Sequence, residues 1–183
     1  MIIDEESARE FVSQRCDSKA FSQLEIFASA LVRENNCQNL VARSTLDQVW
    51  QRHIADSAQL IDFVDSFQPK QDIWLDLGTG AGLPGLVIAI MRPDWKIALV
   101  ESRRRRVEWL SEIRNQLKLA DCRIIGSRLE LVDSFSSSVI SARAFAPMPR
   151  LLDLAKRFST DETLWLLPKG RSAAQDLSGL SNR

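Results

Sequence analysis

The chain has 183 residues, of which 45% are hydrophobic, a composition typical of one ordered globular domain with a small appendage rather than a disordered chain. Lys and Arg together number 24, as do Asp and Glu, so the overall charge excludes a globally basic nucleic-acid-binding protein. A nucleic-acid partner would have to bind a local surface.

The first residues and the cysteines indicate the compartment. The sequence begins Met-Ile-Ile-Asp-Glu-Glu, which is not a signal peptide, and no apolar run reaches the length of a membrane span. Cys16, Cys37 and Cys122 are far apart and form no C-x-x-C pair, so they predict neither a disulfide framework nor a zinc site. We therefore expect a cytoplasmic protein without membrane contact or bound metal, and we expect it to be a monomer.

Residues 1–70 are predicted to be helical. Residues 19–34 place apolar side chains at helical spacing, as an amphipathic helix does. The run Thr45-Leu46-Asp47-Gln48 resembles a capping box that begins a further helix. We expect this N-terminal helical segment to pack on a core formed by residues 71–183.

From residue 72 onward, strand and helix patterns alternate. The predicted strands are 72–77, 96–100, 122–126, 139–144 and 163–167, and the predicted helices are 84–91, 102–118 and 148–158. Strands separated by helices imply parallel crossover connections. The sequence therefore predicts an α/β fold with a doubly wound, mostly parallel sheet.

The first strand of this sheet runs into a glycine-rich turn, Gly-Thr-Gly-Ala-Gly-Leu-Pro-Gly. Strand, glycine turn and helix together form the opening unit of a nucleotide-binding domain. Gly78, Gly80 and Gly82 lack a Cβ, so the backbone can approach a ligand closely. Residues 80–85 also satisfy G-x-G-x-x-G, the dinucleotide pattern, which leaves an NAD-dependent oxidoreductase as an alternative.

Asp76, two residues before the first glycine, favours a different ligand. A carboxylate at the mouth of this crevice is unfavourable for an anionic pyrophosphate, but it suits a cationic amino group and a sulfonium. S-adenosylmethionine carries both. The sequence therefore favours a methyl-donor site over a dinucleotide site.

Acidic residues follow two later strands. Glu101 ends the second strand about 20 positions after the glycines, where an acid accepts hydrogen bonds from ribose hydroxyls. Its alternative role is a helix-start carboxylate. Glu130 follows the third strand, where the loop lies beside the adenine in this architecture, and its alternative role is to cap a short helix.

Basic and aromatic residues complete the candidate site. Arg143 follows the fourth strand and holds an anionic group in one interpretation or pairs with Asp76 or Glu101 in the other. Arg104 and Arg105 either contact an RNA backbone or form a solvated helix face. Ser102, just before them, is the expected N-cap of their helix. The other candidates for RNA contact are Phe145, which stacks on a base or joins the core, and Lys169, which binds phosphate or lies in a turn.

His53 is the only histidine, and it lies in the run Arg-His-Ile-Ala-Asp-Ser. No serine or cysteine partner near it supports a hydrolytic triad. Its helical spacing from Trp50 and Ser57 favours a hydrogen-bonded packing role over catalysis.

Several of these motifs stand in one order along the chain: Asn39-Leu40, Arg-His-Ile-Ala-Asp-Ser, the stretch 74–85, Leu-Val-Glu-Ser, Ser141 through Pro147, and Lys169-Gly170. Over about residues 20–170 the chain resembles the bacterial small-subunit ribosomal RNA methyltransferase G family, also called glucose-inhibited division protein B. The resemblance implies a Rossmann-like class I S-adenosylmethionine-dependent methyltransferase fold. It also implies methyl transfer to nitrogen 7 of a guanosine in the 16S rRNA of the small ribosomal subunit.

The resemblance assigns residues to the donor pocket. It implies that Gly78 and Leu83 line the pocket, that Leu129 and Glu130 lie beside the adenine, and that Arg143 contacts the donor. No general base is expected, because guanine nitrogen 7 already has a free lone pair and no proton leaves before attack.

The end of the chain departs from the family pattern. The family continues beyond the Lys-Gly pair with a helix and two strands, which residues 171–183 are too few to supply. We therefore expect these C-terminal strands to be missing. A non-catalytic or truncated donor-binding module is the corresponding alternative function.

Overall fold

The computed structural model describes residues 2–168. Its centre is a five-stranded sheet in the order β3-β2-β1-β4-β5, in which all neighbouring strands run parallel. The strands are β1 (Ile73–Leu77), β2 (Lys96–Val100), β3 (Cys122–Ile125), β4 (Val139–Ala142) and β5 (Leu164–Leu166). The predicted doubly wound α/β fold is confirmed, and each predicted strand lies within one or two residues of the observed one.

Helices precede the sheet and connect its strands. They are α1 (Glu5–Ser13), α2 (Ser18–Glu34), α3 (Ala55–Ala58), α4 (Leu60–Phe67), α5 (Gly85–Met91), α6 (Arg104–Gln116) and α7 (Met148–Ala155). Short 3₁₀ helices occupy Arg43–Gln48, Leu129–Leu131 and Lys156–Phe158, and a π-helical turn occupies Trp50–Ile54. No helix among residues 2–168 is both long and apolar enough to cross a membrane.

Side chains of the sheet alternate between two apolar layers, as the two-residue period of a strand requires. Trp74 faces the layer that α2, α5 and the other N-terminal helices cover, whereas Leu75 and Leu77 face the layer with α7. Asp76 follows Trp74 by two residues on the same strand, so its side chain points to the same face of the sheet, which the N-terminal helices cover. The N-terminal segment thus packs on the sheet, and a boundary at residue 70 stays a prediction.

Two expected helix caps are not observed. Thr45 lies inside a 3₁₀ helix and donates its hydroxyl to the Ala42 carbonyl at 2.7 Å instead of capping an α-helix. Helix α6 begins at Arg104, so Ser102 is not its N-cap. The Glu101 carboxylate instead accepts the backbone N–H groups of Ser102 and Arg103, each at 2.8 Å. The Glu101 carboxylate at the end of β2 therefore takes the place of the predicted serine cap.

Candidate active site

A cavity of about 460 Å³ opens at the carboxyl ends of the strands. Ligands in open α/β sheets bind at this edge, and the volume lies within the range of about 300–1,000 Å³ typical of small-molecule sites. Four of the predicted donor-site residues line it: Gly78, Glu101, Leu129 and Glu130. Phe145, predicted as an RNA contact, lines the same cavity.

A larger cavity of about 620 Å³ lies near the opposite ends of the strands. Its wall includes Lys96 at the start of β2 and Cys122 at the start of β3, together with Phe135. None of the predicted site residues lines it. The chemistry of the glycine loop, not cavity size, therefore identifies the smaller cavity as the candidate site.

The glycine loop borders this cavity at Gly78, and its backbone adopts conformations that favour glycine. Gly78 has a φ of +62° and Gly82 a φ of +94°. A Cβ on Gly78 would lie 2.5 Å from Cδ2 of Phe145, and one on Gly82 would lie 2.3 Å from Cδ1 of Leu86. The loop therefore has no room for side chains at these two positions.

Glu101 supports this loop from the end of β2. Its side chain is only 6% exposed, and its Oε2 accepts the Gly80 N–H at 3.1 Å. The Arg106 guanidinium lies 3.7 Å from the same oxygen. Since the other oxygen accepts the two amides at the start of α6, Glu101 fixes both loops that border the cavity.

Asp76 lies deeper than expected. It has no exposed surface, so it is not at the mouth of the crevice. Its carboxylate accepts the Ser141 hydroxyl at 2.6 Å and the Gly85 N–H at 3.1 Å, and burial raises its pKa. Trp74 in turn donates its indole N–H to Ser141 at 2.8 Å. Asp76 therefore connects β1 with β4 and with the start of α5 beneath the loop.

Arg143 follows β4 and is partly buried. Among residues 2–168 it forms no side-chain hydrogen bond, and no carboxylate lies within 4.0 Å of its guanidinium. The alternative in which it pairs with Asp76 or Glu101 is therefore not observed. Burial lowers the pKa of Arg143, while the carboxylates of Asp76 and Asp56 oppose this shift at longer range.

The wall formed after β3 is a single 3₁₀ turn, Leu129–Leu131. Leu129 is buried, whereas Glu130 lies 3.5 Å from the Arg150 guanidinium. No side chain caps this turn, so the alternative role of Glu130 as a cap is not observed. The turn places an apolar side chain and a carboxylate together on the cavity wall.

The remaining predicted residues lie beside the cavity rather than in its wall. Gly80, Gly82 and Leu83 belong to the loop but do not line the cavity, and Leu83 is buried. Arg143 is also absent from the wall. Lys169 lies outside the described residues, as do residues 171–183, on which the expected loss of C-terminal strands depends.

The four consecutive arginines at positions 103–106 lie in different environments. Arg104 is 91% exposed and pairs with Glu108 at 2.8 Å, and Arg105 donates to the Cys37 carbonyl at 3.3 Å. Arg103 and Arg106 line the cavity, which sequence reasoning did not anticipate. The three-residue spacing between them, one face of the helix start, was the available signal.

Arg128 and Arg150 also line the cavity and were not anticipated. They come from the loop after β3 and from α7, so nothing local in the sequence connects them. Residues 2–168 bring together no group of three His, Cys, Asp or Glu side chains able to hold a metal ion.

Solved structures with similar folds identify the fold class of this chain. A methyltransferase from Geobacter sulfurreducens matches with a TM-score of 0.60 at 16% identity, covering 86% of this chain and 78% of that one. A precorrin-6y C5,15-methyltransferase from Geobacter metallireducens matches with a TM-score of 0.54 at 11% identity, covering 78% and 71%. The chain therefore has the Rossmann-like fold of class I S-adenosylmethionine-dependent methyltransferases.

Sequence relatives narrow this class to one family. The family model for rRNA small subunit methyltransferase G (GidB) matches residues 20–183. The ribosomal RNA small subunit methyltransferase G of Erythrobacter litoralis is 55% identical over 183 residues, which cover 100% of this chain and 87% of the relative. That of Rhizorhabdus wittichii is 47% identical, covering 99% and 83%.

The chain belongs to the rRNA small subunit methyltransferase G family. This membership confirms the resemblance drawn from the motifs. It also decides against the NAD-dependent interpretation of the overlapping glycine pattern, which no relative named here supports.

Proposed function

We propose that this protein transfers the methyl group of S-adenosylmethionine to nitrogen 7 of a guanosine in the 16S rRNA of the small ribosomal subunit. Family membership supports the rRNA methyltransferase activity. The main support for a methyl-donor site is that Glu101 hydrogen-bonds the glycine loop at the edge of the cavity. The proposed enzyme works in the cytoplasm as a monomer and without a metal ion.

The residues around the cavity fit the parts of this donor. The Glu101 carboxylate has about four acceptor positions, of which three backbone N–H groups use three, so one remains for a ribose hydroxyl. Leu129 offers an apolar surface to the adenine, and Glu130 offers an acceptor for its exocyclic amine. Gly78 lines the cavity without a side chain, so its backbone is available to the methionine portion.

Four other predicted donor-site residues act less directly in this proposal. Asp76, Gly80, Gly82 and Leu83 shape the loop from behind, and Asp76 does so through its bond to the Gly85 N–H. Arg143 lies at the carboxyl end of β4, where it is available to the anionic carboxylate of the donor.

The donor supplies an electrophilic methyl group on a sulfonium when it is bound. Guanine nitrogen 7 has a free lone pair, so the protein has no proton to remove before attack. Its residues contribute by placing nitrogen, methyl and sulfur in line and by surrounding them with fixed dipoles. We therefore assign no general base.

A basic rim supports RNA as the second substrate. Arg103, Arg128 and Arg150 line the cavity, and their guanidinium groups suit bidentate contact with phosphate. Arg104 and Arg105 extend this rim along the start of α6. Phe145 lines the cavity while also packing against the core, and we propose that its ring stacks on a base. Lys169 stays a prediction as a further phosphate contact.

The first test is the transfer of labelled methyl from S-adenosylmethionine to small ribosomal subunits from cells lacking the modification, followed by nucleoside analysis. Label in 7-methylguanosine is the expected result. Label in another nucleoside would overturn the nitrogen 7 assignment. Binding of S-adenosylhomocysteine without any transfer would instead identify the donor-binding module considered above.

A further inference from the structure

One face of α6 packs directly on the glycine loop. Trp109 and Leu110 are buried on this face, and the Trp109 indole N–H donates to the Ala81 carbonyl at 3.2 Å. A Cβ on Gly82 would lie 3.2 Å from Cδ2 of Leu110, which is a tight contact. Helix α6 therefore supports the loop from the side opposite to a bound donor.

Arg106 lies on the same face, three residues before Trp109 and four before Leu110. Helical side chains tilt toward the helix N-terminus, which directs Arg106 back toward the strand ends. Its Nη1 lies 3.7 Å from Oε2 of Glu101 and 3.4 Å from the position that a Cβ on Gly80 would occupy. The guanidinium therefore contacts both the loop and the acid that supports it.

This ion pair is shielded from water. The Glu101 side chain is 6% exposed and the Arg106 side chain 23%. The three N–H groups that Glu101 accepts belong to the backbone and carry no net charge. Among residues 2–168, Arg106 is the only cationic group within 4.0 Å of this carboxylate. Since a buried carboxylate is costly without an opposite charge, Arg106 stabilises Glu101 in its observed position.

The other arginines of the cavity wall have different surroundings. Arg103 and Arg128 have no carboxylate within 4.0 Å among the described residues, and Arg150 pairs with Glu130 at 3.5 Å. These three are therefore free, or exposed enough, to meet a phosphate, as proposed for the basic rim. Arg106 is instead turned toward Glu101.

We propose that Arg106 is a positioning residue for Glu101. Its charge holds Oε2 of the carboxylate at the Gly80 N–H, so that the remaining acceptor position of Glu101 faces a ribose hydroxyl. This inference rests on the proposed function, because it assumes that Glu101 contacts the ribose of the methyl donor. It assigns α6 a role in donor binding that is separate from RNA contact.

Charge removal at position 106 is the first part of the test. Arg106→Met removes the charge but keeps most of the side-chain length, whereas Arg106→Lys keeps the charge. We expect Arg106→Met to bind S-adenosylhomocysteine about fivefold more weakly and Arg106→Lys to stay within about twofold of the parent. In a Glu101→Gln background, Arg106→Met should cause no further loss.

Arg92→Met is the matched control. Arg92 also pairs with an acid, Asp65 at 2.6 Å, and its side chain is 25% exposed, close to the value for Arg106. It follows α5 at the opposite edge of the sheet and does not line the cavity. Its substitution should leave the affinity for S-adenosylhomocysteine unchanged.

The second part of the test compares S-adenosylhomocysteine with its 2′-deoxy and 3′-deoxy analogues. In the parent, loss of the hydroxyl that Glu101 accepts should weaken binding about tenfold, as expected for a hydrogen bond to a charged group. In Arg106→Met the same loss should shrink to about twofold. A merely structural role of Arg106 would weaken all three ligands by one common factor and leave their ratio unchanged.

The outcomes separate this inference from the proposed function. An unchanged ligand ratio, or effects of Arg106→Met and Glu101→Gln that multiply, would overturn the inference alone. Failure of the parent to bind S-adenosylhomocysteine would reject the donor site and the inference together. Coupled affinities without methyl transfer to rRNA would reject the proposed substrate and retain the inference.

Folding of the variants is checked separately. The urea midpoint of each one shows that it is folded during the binding measurement. Arg106→Gln is a second uncharged variant with a polar end, and it should give the same reduced ligand ratio as Arg106→Met. A parental ratio in Arg106→Gln would contradict a role for the charge.

Discussion

The carboxylate of Glu101 accepts a hydrogen bond from the backbone N–H of Gly80 at 3.1 Å, joining the end of β2 to the loop after β1. Its second oxygen accepts the amides of Ser102 and Arg103. One buried acid therefore shapes two borders of the cavity before any ligand arrives. Its position, with one acceptor site still free, also makes it the proposed ribose contact.

Glu101→Gln should weaken both the loop and donor binding. The amide replaces one carboxylate oxygen with a donor, which leaves at least one backbone N–H without its acceptor, at a cost of about 1–3 kcal/mol. We expect S-adenosylhomocysteine to bind about tenfold or more weakly by calorimetry. Glu108→Gln, a change in an exposed acid paired with Arg104, should leave affinity unchanged. Equal affinities for both variants would reject the role of Glu101.

Gly78→Ala should disturb the cavity wall because its Cβ would lie 2.5 Å from the Phe145 ring at a φ of +62°. We expect donor binding to be lost while the far-ultraviolet circular dichroism is retained. Adding Phe145→Ala removes the clash but not the backbone strain, so the double variant should recover part of the affinity. Full binding by Gly78→Ala alone would show that the cavity is not the donor site.

Stability should fall between pH 6.5 and pH 4 because of His53. Its pKa is about 4 in the folded protein and 6.5 as the ordinary value, so the unfolded chain takes up the proton first. The stabilisation is complete above pH 6.5 and is lost as the pH falls toward 4, by about 3 kcal/mol in all. Urea unfolding across this range measures the change.

His53→Gln provides the comparison for this pH dependence because it does not titrate. Asp56, whose pKa is raised by burial, is present in both proteins and cancels in the difference. We expect a flatter stability profile for the variant than for the parent. Identical profiles would show that His53 is equally accessible to protons in the folded and unfolded states.

Replacing Arg104 and Arg105 by Glu should weaken RNA engagement without affecting the donor. Both residues are exposed and neither lines the cavity, so S-adenosylhomocysteine affinity should not change. We expect KM for small subunits to rise severalfold, and the rise to shrink at high salt as phosphate contacts are screened. An unchanged KM would show that Arg104 and Arg105 form a solvated helix face and do not contact RNA.

Sequence patterning was sufficient for the parts of the molecule that depend on near neighbours. The alternation of strands and helices predicted the parallel sheet, because each crossover is specified by its own apolar period. The glycine spacing predicted the loop, and the strand ends predicted Gly78, Glu101 and Glu130 at one edge, where the structure places them on one cavity. Parallel strands make this prediction possible, because their carboxyl ends meet at the same edge.

Contacts between distant segments were decided only by the tertiary structure. Local sequence predicted Thr45 and Ser102 as helix caps. In the structure the Thr45 hydroxyl instead hydrogen-bonds with Ala42 and His53, and the Glu101 carboxylate accepts the backbone N–H of Ser102. Asp76 is buried beneath the loop because strand parity turns it toward the layer shared with α5, where cross-strand register pairs it with Ser141.

The sequence by itself therefore determined the fold class, the family and the edge of the sheet that carries the site. Only the tertiary structure decided that Asp76 is buried beneath the loop and that Arg128 and Arg150 border one cavity. The physical reason is that periodicity and turn chemistry act over a few residues, whereas side-chain partners across layers depend on how separate elements pack.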